Sequence, residues 1–148
     1  PMKIENQSKF IQQLAEEFST EFNNLSITVL PNGDIVNKEY LIKQEKNNSW
    51  ALYSIQSSDF MHQFYLKSCA LLASYFYNEG FFNLYHEIQT LDRNYWRNYY
   101  DSIIYKHHLK NVKDIDNKMI LLNRLECAES DATLYKKKIS RMFKQSFV

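Results

Sequence analysis

The sequence predicts a mainly α fold of the α+β class, a helical domain with a small three- to four-stranded antiparallel β-meander near its N-terminus. Three observations predict it. Only two glycines and two prolines punctuate 148 residues, so long uninterrupted elements are expected. The hydrophobic period falls from about 3.6 to 2 between residues 25 and 55 and then returns to helical spacing. Fourteen of the twenty-three aromatic residues lie between Phe60 and Tyr105, and side chains that each bury so much area mark where the core gathers.

Length and composition suit one domain, 1–148, built as a helix over 5–23, a β-meander over 25–55 and a helical core over 58–147. A chain of this size buries roughly 68–70% of its unfolded surface and needs no staples. The two cysteines, Cys69 and Cys127, cannot define a disulfide framework. Both fall in apolar patterns and read as small buried hydrophobes.

The first helix follows from Phe10, Leu14, Phe18 and Phe22 at four-residue spacing, with Glu16, Glu17 and Glu21 facing water. Asn23-Asn24 stops it. Ser26 to Leu30 is a strand, and Pro31-Asn32-Gly33-Asp34 is a hairpin turn in which Asn-Gly takes positive φ at both central positions. Ile35-Val36 resumes the sheet. Tyr40 to Gln44 and Trp50 to Ile55 alternate around a second turn at Lys46-Asn47-Asn48-Ser49.

Ser57, Ser58 and Asp59 read as N-caps of a helix from Phe60 to Tyr77. That helix is apolar on nearly all faces and therefore central. Gly80 supplies its left-handed terminus. A short helix over Phe81 to Leu91 follows. Asp92 caps the next, whose stripe is Tyr95/Trp96, Tyr99, Ile103 and His107 and which Asn111 closes. The last helical region starts at Asp114 or Asp116. Its stripe runs through Ile115, Met119, Leu122, Leu125, Ala128, Ala132, Tyr135, Ile139 and Met142 without a breaker, which predicts one helix of about thirty residues rather than two.

Motifs that carry chemistry are missing. His86-Glu87 begins the H-E-x-x-H zinc pattern, but Thr90 stands where the second histidine is needed. His62 and Cys69 lie seven apart, two turns along one predicted helix face. His107 and His108 are adjacent and point apart. Zinc needs three or four convergent ligands, so structural or surface histidines are expected and no metal or cofactor. Asp114-Ile115-Asp116 starts like a calcium loop, but Lys118 and Met119 occupy the later ligand and glycine places. With glycine only at 33 and 80, no glycine-rich loop is present to cradle phosphate. No enzyme activity is expected.

The formal net charge of +1 hides an uneven spread. Residues 92–113 carry +3, 114–133 carry −3 and 134–148 carry +5. Lysine outnumbers arginine 14 to 4, with 14 asparagines. That bias fits an A/T-rich genome; a bacteriophage is one such source, and bacteria and parasites are others. No secretory pattern opens the chain, and the most apolar run, Cys69 to Tyr77, is about half the ~20 residues of a membrane span. A cytoplasmic protein is expected, in a host cytoplasm or virion if the source is viral.

The leading functional expectation is a non-enzymatic interaction or assembly protein that associates with itself or another protein. From Leu125 the stripe is strictly heptad, and the interface candidates are Leu125, Ala128, Ala132, Tyr135, Ile139 and Met142, its alanines allowing close helix approach. The alternative is a small nucleic-acid-binding protein. Its candidates are Arg93, Arg97, Tyr100, Lys106, Lys110, Lys136, Lys137, Lys138 and Arg141, cations for phosphate interleaved with rings for stacking. The terminal lysine-flanked stripe also resembles an interfacial helix. Packing against protein is the simpler reading, and no membrane partner is expected.

Overall fold

A computed structural model describes residues 9, 12–17 and 26–147 of the protein. The fold is α+β, a five-stranded antiparallel meander followed by three helices. The strands are β1 (Thr28–Val29), β2 (Ile35–Asn37), β3 (Tyr40–Gln44), β4 (Trp50–Ser54) and β5 (Phe60–Phe64), paired in sequence order. The helices are α1 (Lys67–Asn78), α2 (Phe82–Leu109) and α3 (Ile115–Phe147). Of the helix predicted over 5–23, residues 9 and 12–17 are helical and Leu14 is fully buried. Phe10, Phe18, Phe22 and the Asn23-Asn24 stop lie outside the described residues.

The β1–β2 and β3–β4 hairpins use one device. Gly33 N–H bonds to Leu30 O at 2.9 Å, and Leu30 N–H to Asp34 O at 2.8 Å. Asn48 N–H bonds to Glu45 O, and Glu45 N–H to Ser49 O, in the same pattern. One left-handed residue closes each loop, Gly33 at φ +91° and Asn48 at φ +58°. Asn32 does not take positive φ. Pro31 at the first turn position favours a type I turn, with the following residue left-handed, and Asn32 Oδ1 accepts the Asp34 N–H at 3.0 Å.

The fifth strand corrects the predicted helix start at Phe60. Ser57, Ser58 and Asp59 cap no helix. They form the turn of the β4–β5 hairpin, with Ser54 N–H bonded to Asp59 O at 2.9 Å and Ser58 at φ +59°. His62 therefore sits on a strand and Cys69 on a helix, not along one helix face.

Register puts Ile35 beside Ile42 and Ile42 beside Leu52. All three are fully buried, a ridge across the middle of the sheet. Helix α1 lies over this face. Cys69 to Ser74 are all buried, so the central-helix expectation holds for 67–78. Asn37 Nδ2–H bonds to Ser74 Oγ at 2.9 Å, and Asn78 Nδ2–H to Asn37 O at 3.1 Å. These polar links fix α1 on the sheet. The helix ends as expected at Gly80, φ +77°, with Phe81 N–H bonded back to Phe76 O in a Schellman motif.

The break expected at Asp92 does not occur, and 82–109 is one helix of 28 residues. Helix α3 is continuous over 33 residues, as its unbroken stripe predicts. Asp114 holds the position before it, its carbonyl accepting Lys118 N–H at 2.9 Å. The two helices form an antiparallel hairpin. Its inner half joins the core through Tyr85, Ile88, Leu91, Ile139, Phe143 and Phe147. Its outer half extends past the sheet and α1.

Candidate interaction surface

Helix length dictates the surface. At about 1.5 Å per residue α3 is roughly 50 Å long and α1 roughly 18 Å, while five-residue strands span about 17 Å. The body can cover only part of the hairpin. The last buried residue of α2 is Ser102 and the first of α3 is Ala128; none from Ile103 to Cys127 is buried. Five large apolar residues are exposed in this region, Ile103, Ile115, Met119, Ile120 and Leu122, and Tyr99 and Tyr100 are exposed just before it. Ile115 and Met119 are 72% and 64% exposed, more like loop residues than a helix flank, yet they stand at helical i, i+4 spacing.

Two shallow grooves run between the helices. One, about 240 Å³, is lined by residues that include Asn98, Asp101, Tyr105, Arg124, Cys127 and Asp131. The opposite one, about 210 Å³, is lined by residues that include Tyr99, Ser102, Lys106, Glu129, Thr133 and Lys136. Both are smaller than the ~300–1,000 Å³ of ligand clefts, so they are seams, not pockets. Cys127 is exposed here, against the expectation that it is buried.

The sequence-selected interface stripe lies further in. Ala128, Ala132 and Ile139 are buried within the chain itself, and Leu125, Tyr135 and Met142 are half-buried. The alanines allow close approach, as expected, but between α3 and α2.

The basic candidates separate into different surroundings. Arg93 and Arg97 are exposed on α2, beside an aromatic ladder in which Trp96 stacks on Tyr65 (5.0 Å, 7°) and on Tyr100 (6.1 Å, 24°). Lys106 and Lys110 are exposed on the outer half. Lys136 is half-buried, 2.8 Å from Glu17 Oε1 and 5.5 Å above the Tyr95 ring. Lys138 lies over Tyr135. Lys137 and Arg141 share an exposed face with Lys144 that α3 alone lines, so the two basic clusters do not merge into one groove.

The most perturbed acid is Asp92, 1% exposed. Its Oδ2 accepts Tyr65 N–H and its Oδ1 accepts Leu66 N–H, both at 2.9 Å. Leu66 is the N-cap position of α1 and offers no side-chain cap, so a carboxylate 26 residues away caps that helix. Burial pushes Asp92 up to about 6, against the pull of these two bonds, Cys69 and Lys136. Burial, then Asp92, pushes the Cys69 thiol well up, which keeps it a thiol and not a nucleophile. Burial and the Arg93 charge lower His62. No group of three or more metal-ligating side chains converges among the described residues, and no described helix is long and apolar enough to cross a membrane.

No protein-family model, no curated protein and no solved structure matches this chain.

Sequence reasoning missed the outer-half surface because Tyr99, Ile103, Ile115 and Met119 stand on the same stripes as true core residues. The signal that could have found it was length. Two stripes near thirty residues cannot both be covered by one twelve-residue helix and short strands.

Proposed function

We propose that the chain is a non-enzymatic assembly protein that associates with its own copies through the outer half of the α2–α3 hairpin. The observation that carries this reading is the run from Ile103 to Cys127 with no buried residue, on two helices bearing Ile103, Ile115, Met119, Ile120 and Leu122. Contiguous exposed apolar surface marks interaction sites, and two-helix hairpins commonly complete their cores as four-helix bundles. The one strongly shifted carboxylate among the described residues, Asp92, is occupied in capping α1, which favours binding over catalysis. An exposed, unpaired Cys127 suits a reducing compartment such as the cytoplasm.

Native mass spectrometry tests the reading. The expected mass is a multiple of 17.8 kDa, and Ile103→Asp with Met119→Asp should return it to the single-chain value without loss of helicity. A single-chain mass for the unmodified protein at every concentration would sink the proposal.

A second reading is favoured by one specific face. Lys137, Arg141 and Lys144 stand at i, i+4 and i+7 and line an exposed groove, an arrangement suited to phosphates. Nucleic-acid binding there predicts affinity that falls steeply with salt. Binding absent at low salt would remove it.

A further inference from the structure

We infer that the second copy docks on the hairpin face holding Lys106 and Glu129, about a two-fold axis parallel to the helices, so that α2 of each copy lies on α3 of the other. This rests on the self-association proposed above and adds its geometry.

Lys106 and Glu129 line the same groove, yet among the described residues neither is in an ion pair. Helical spacing extends each helix's contribution. On α2, Ile103 follows Tyr99 by four residues, and Lys110, the residue that ends the helix, follows Lys106 by four. On α3, Glu126 precedes Glu129 by three and Leu122 precedes Glu126 by four. The outer part of the face therefore carries an apolar row with Lys106 on one helix and Glu126 and Glu129 on the other, while Lys136 of α3, at its inner end, is held by Glu17. That division repeats along the sequence, where 92–113 carries +3 and 114–133 carries −3.

A self-complementary surface must satisfy its own symmetry. Two kinds of two-fold axis keep the helices of both copies aligned. An axis across the helices stacks α2 on α2 and α3 on α3, lysine against lysine and glutamate against glutamate. An axis along the helices stacks each α2 on the other copy's α3. It also preserves height along the hairpin. Lys106 is level with Glu129 in its own chain, as the shared groove requires, so it is level with Glu129 in the other copy too. Tyr99, Ile103 and Leu122 then fill the centre of a four-helix bundle in which Lys106 of each copy faces Glu129 of the other. Charge complementarity of this kind sets the register and orientation of an interface.

The test uses full-length protein and sedimentation equilibrium, with far-UV circular dichroism to confirm the fold. Lys106→Glu with Lys110→Glu, and separately Glu126→Lys with Glu129→Lys, should each weaken the dimer about tenfold, since exposed pairs contribute roughly 0.2–1 kcal/mol each. The quadruple exchange should restore it. In a mixture, the unmodified and quadruple chains should sort into unmixed dimers. Double variants that leave dimerisation unchanged, or mixed dimers that form in preference, would overturn the inference while leaving self-association standing. An unmodified chain that stays monomeric would remove both.

Discussion

Asp92 holds a carboxylate in the interior because two backbone N–H groups at the start of α1 have no other acceptor. Removing it strands both. An unpaired buried donor costs about 1–3 kcal/mol, so Asp92→Ala should lower stability by roughly 2–5 kcal/mol in urea denaturation. The pH dependence has a definite sign. The folded value of about 6 lies above the ordinary 3.8. Between those values the folded chain holds a proton that the unfolded chain has lost. The group's contribution is fully present below about pH 4 and is lost as pH rises through 6. The loss is at most about 3 kcal/mol, taking 1.36 kcal/mol per pKa unit. Urea midpoints measured from pH 4 to pH 7 should show a downward step that Asp92→Asn abolishes. An unchanged step in that variant would assign the titration elsewhere. None of this was legible in the sequence. Asp92 reads there as a cap for its own helix, and its partners Tyr65 and Leu66 are brought to it only by tertiary folding.

At the scale of elements, the same ambiguity explains the misplaced start of α1. Serine and aspartate cap helices and close turns by the same chemistry, a side-chain oxygen accepting a nearby N–H. Ser57-Ser58-Asp59 satisfies both readings, and Ser57 Oγ accepts Asp59 N–H at 3.4 Å. Phe60 to Phe64 then pairs with β4, a non-local choice that propensity does not register. The hairpin signals at Gly33 and Asn48 and the terminus at Gly80 were readable because each needs one local left-handed residue. Two substitutions of opposite sign check this account. Ser58 sits at φ +59°, where a side chain costs about 1–2 kcal/mol, so Ser58→Gly should raise the melting temperature. Gly80 sits at φ +77° with open space around an added Cβ. Gly80→Ala should therefore destabilise by roughly 1 kcal/mol through backbone strain alone, without a steric clash. A neutral result at both positions would mean that these turns relax freely.

The whole molecule divides where its layers end. The sheet and α1 cover the inner half of the hairpin, where Ile139 and Phe143 are fully buried. There an Ile139→Ala change should cost about 2–5 kcal/mol, as large-to-small changes in a core do. Beyond Ser102 and before Ala128 the helices have only each other. The loss of a core partner should make this segment open locally at far lower free energy than the body. If a second copy completes the bundle, that opening must be coupled to concentration, because association stabilises only the ordered form. Amide hydrogen exchange should therefore show protection over 103–127 that rises with protein concentration, while protection over 67–78 and 128–147 stays constant. Ile103→Asp should abolish the dependence and leave the body's protection intact. Protection over 103–127 that is high and independent of concentration would show that the isolated hairpin is stable alone, and the exposed apolar rows would then have no role in ordering it.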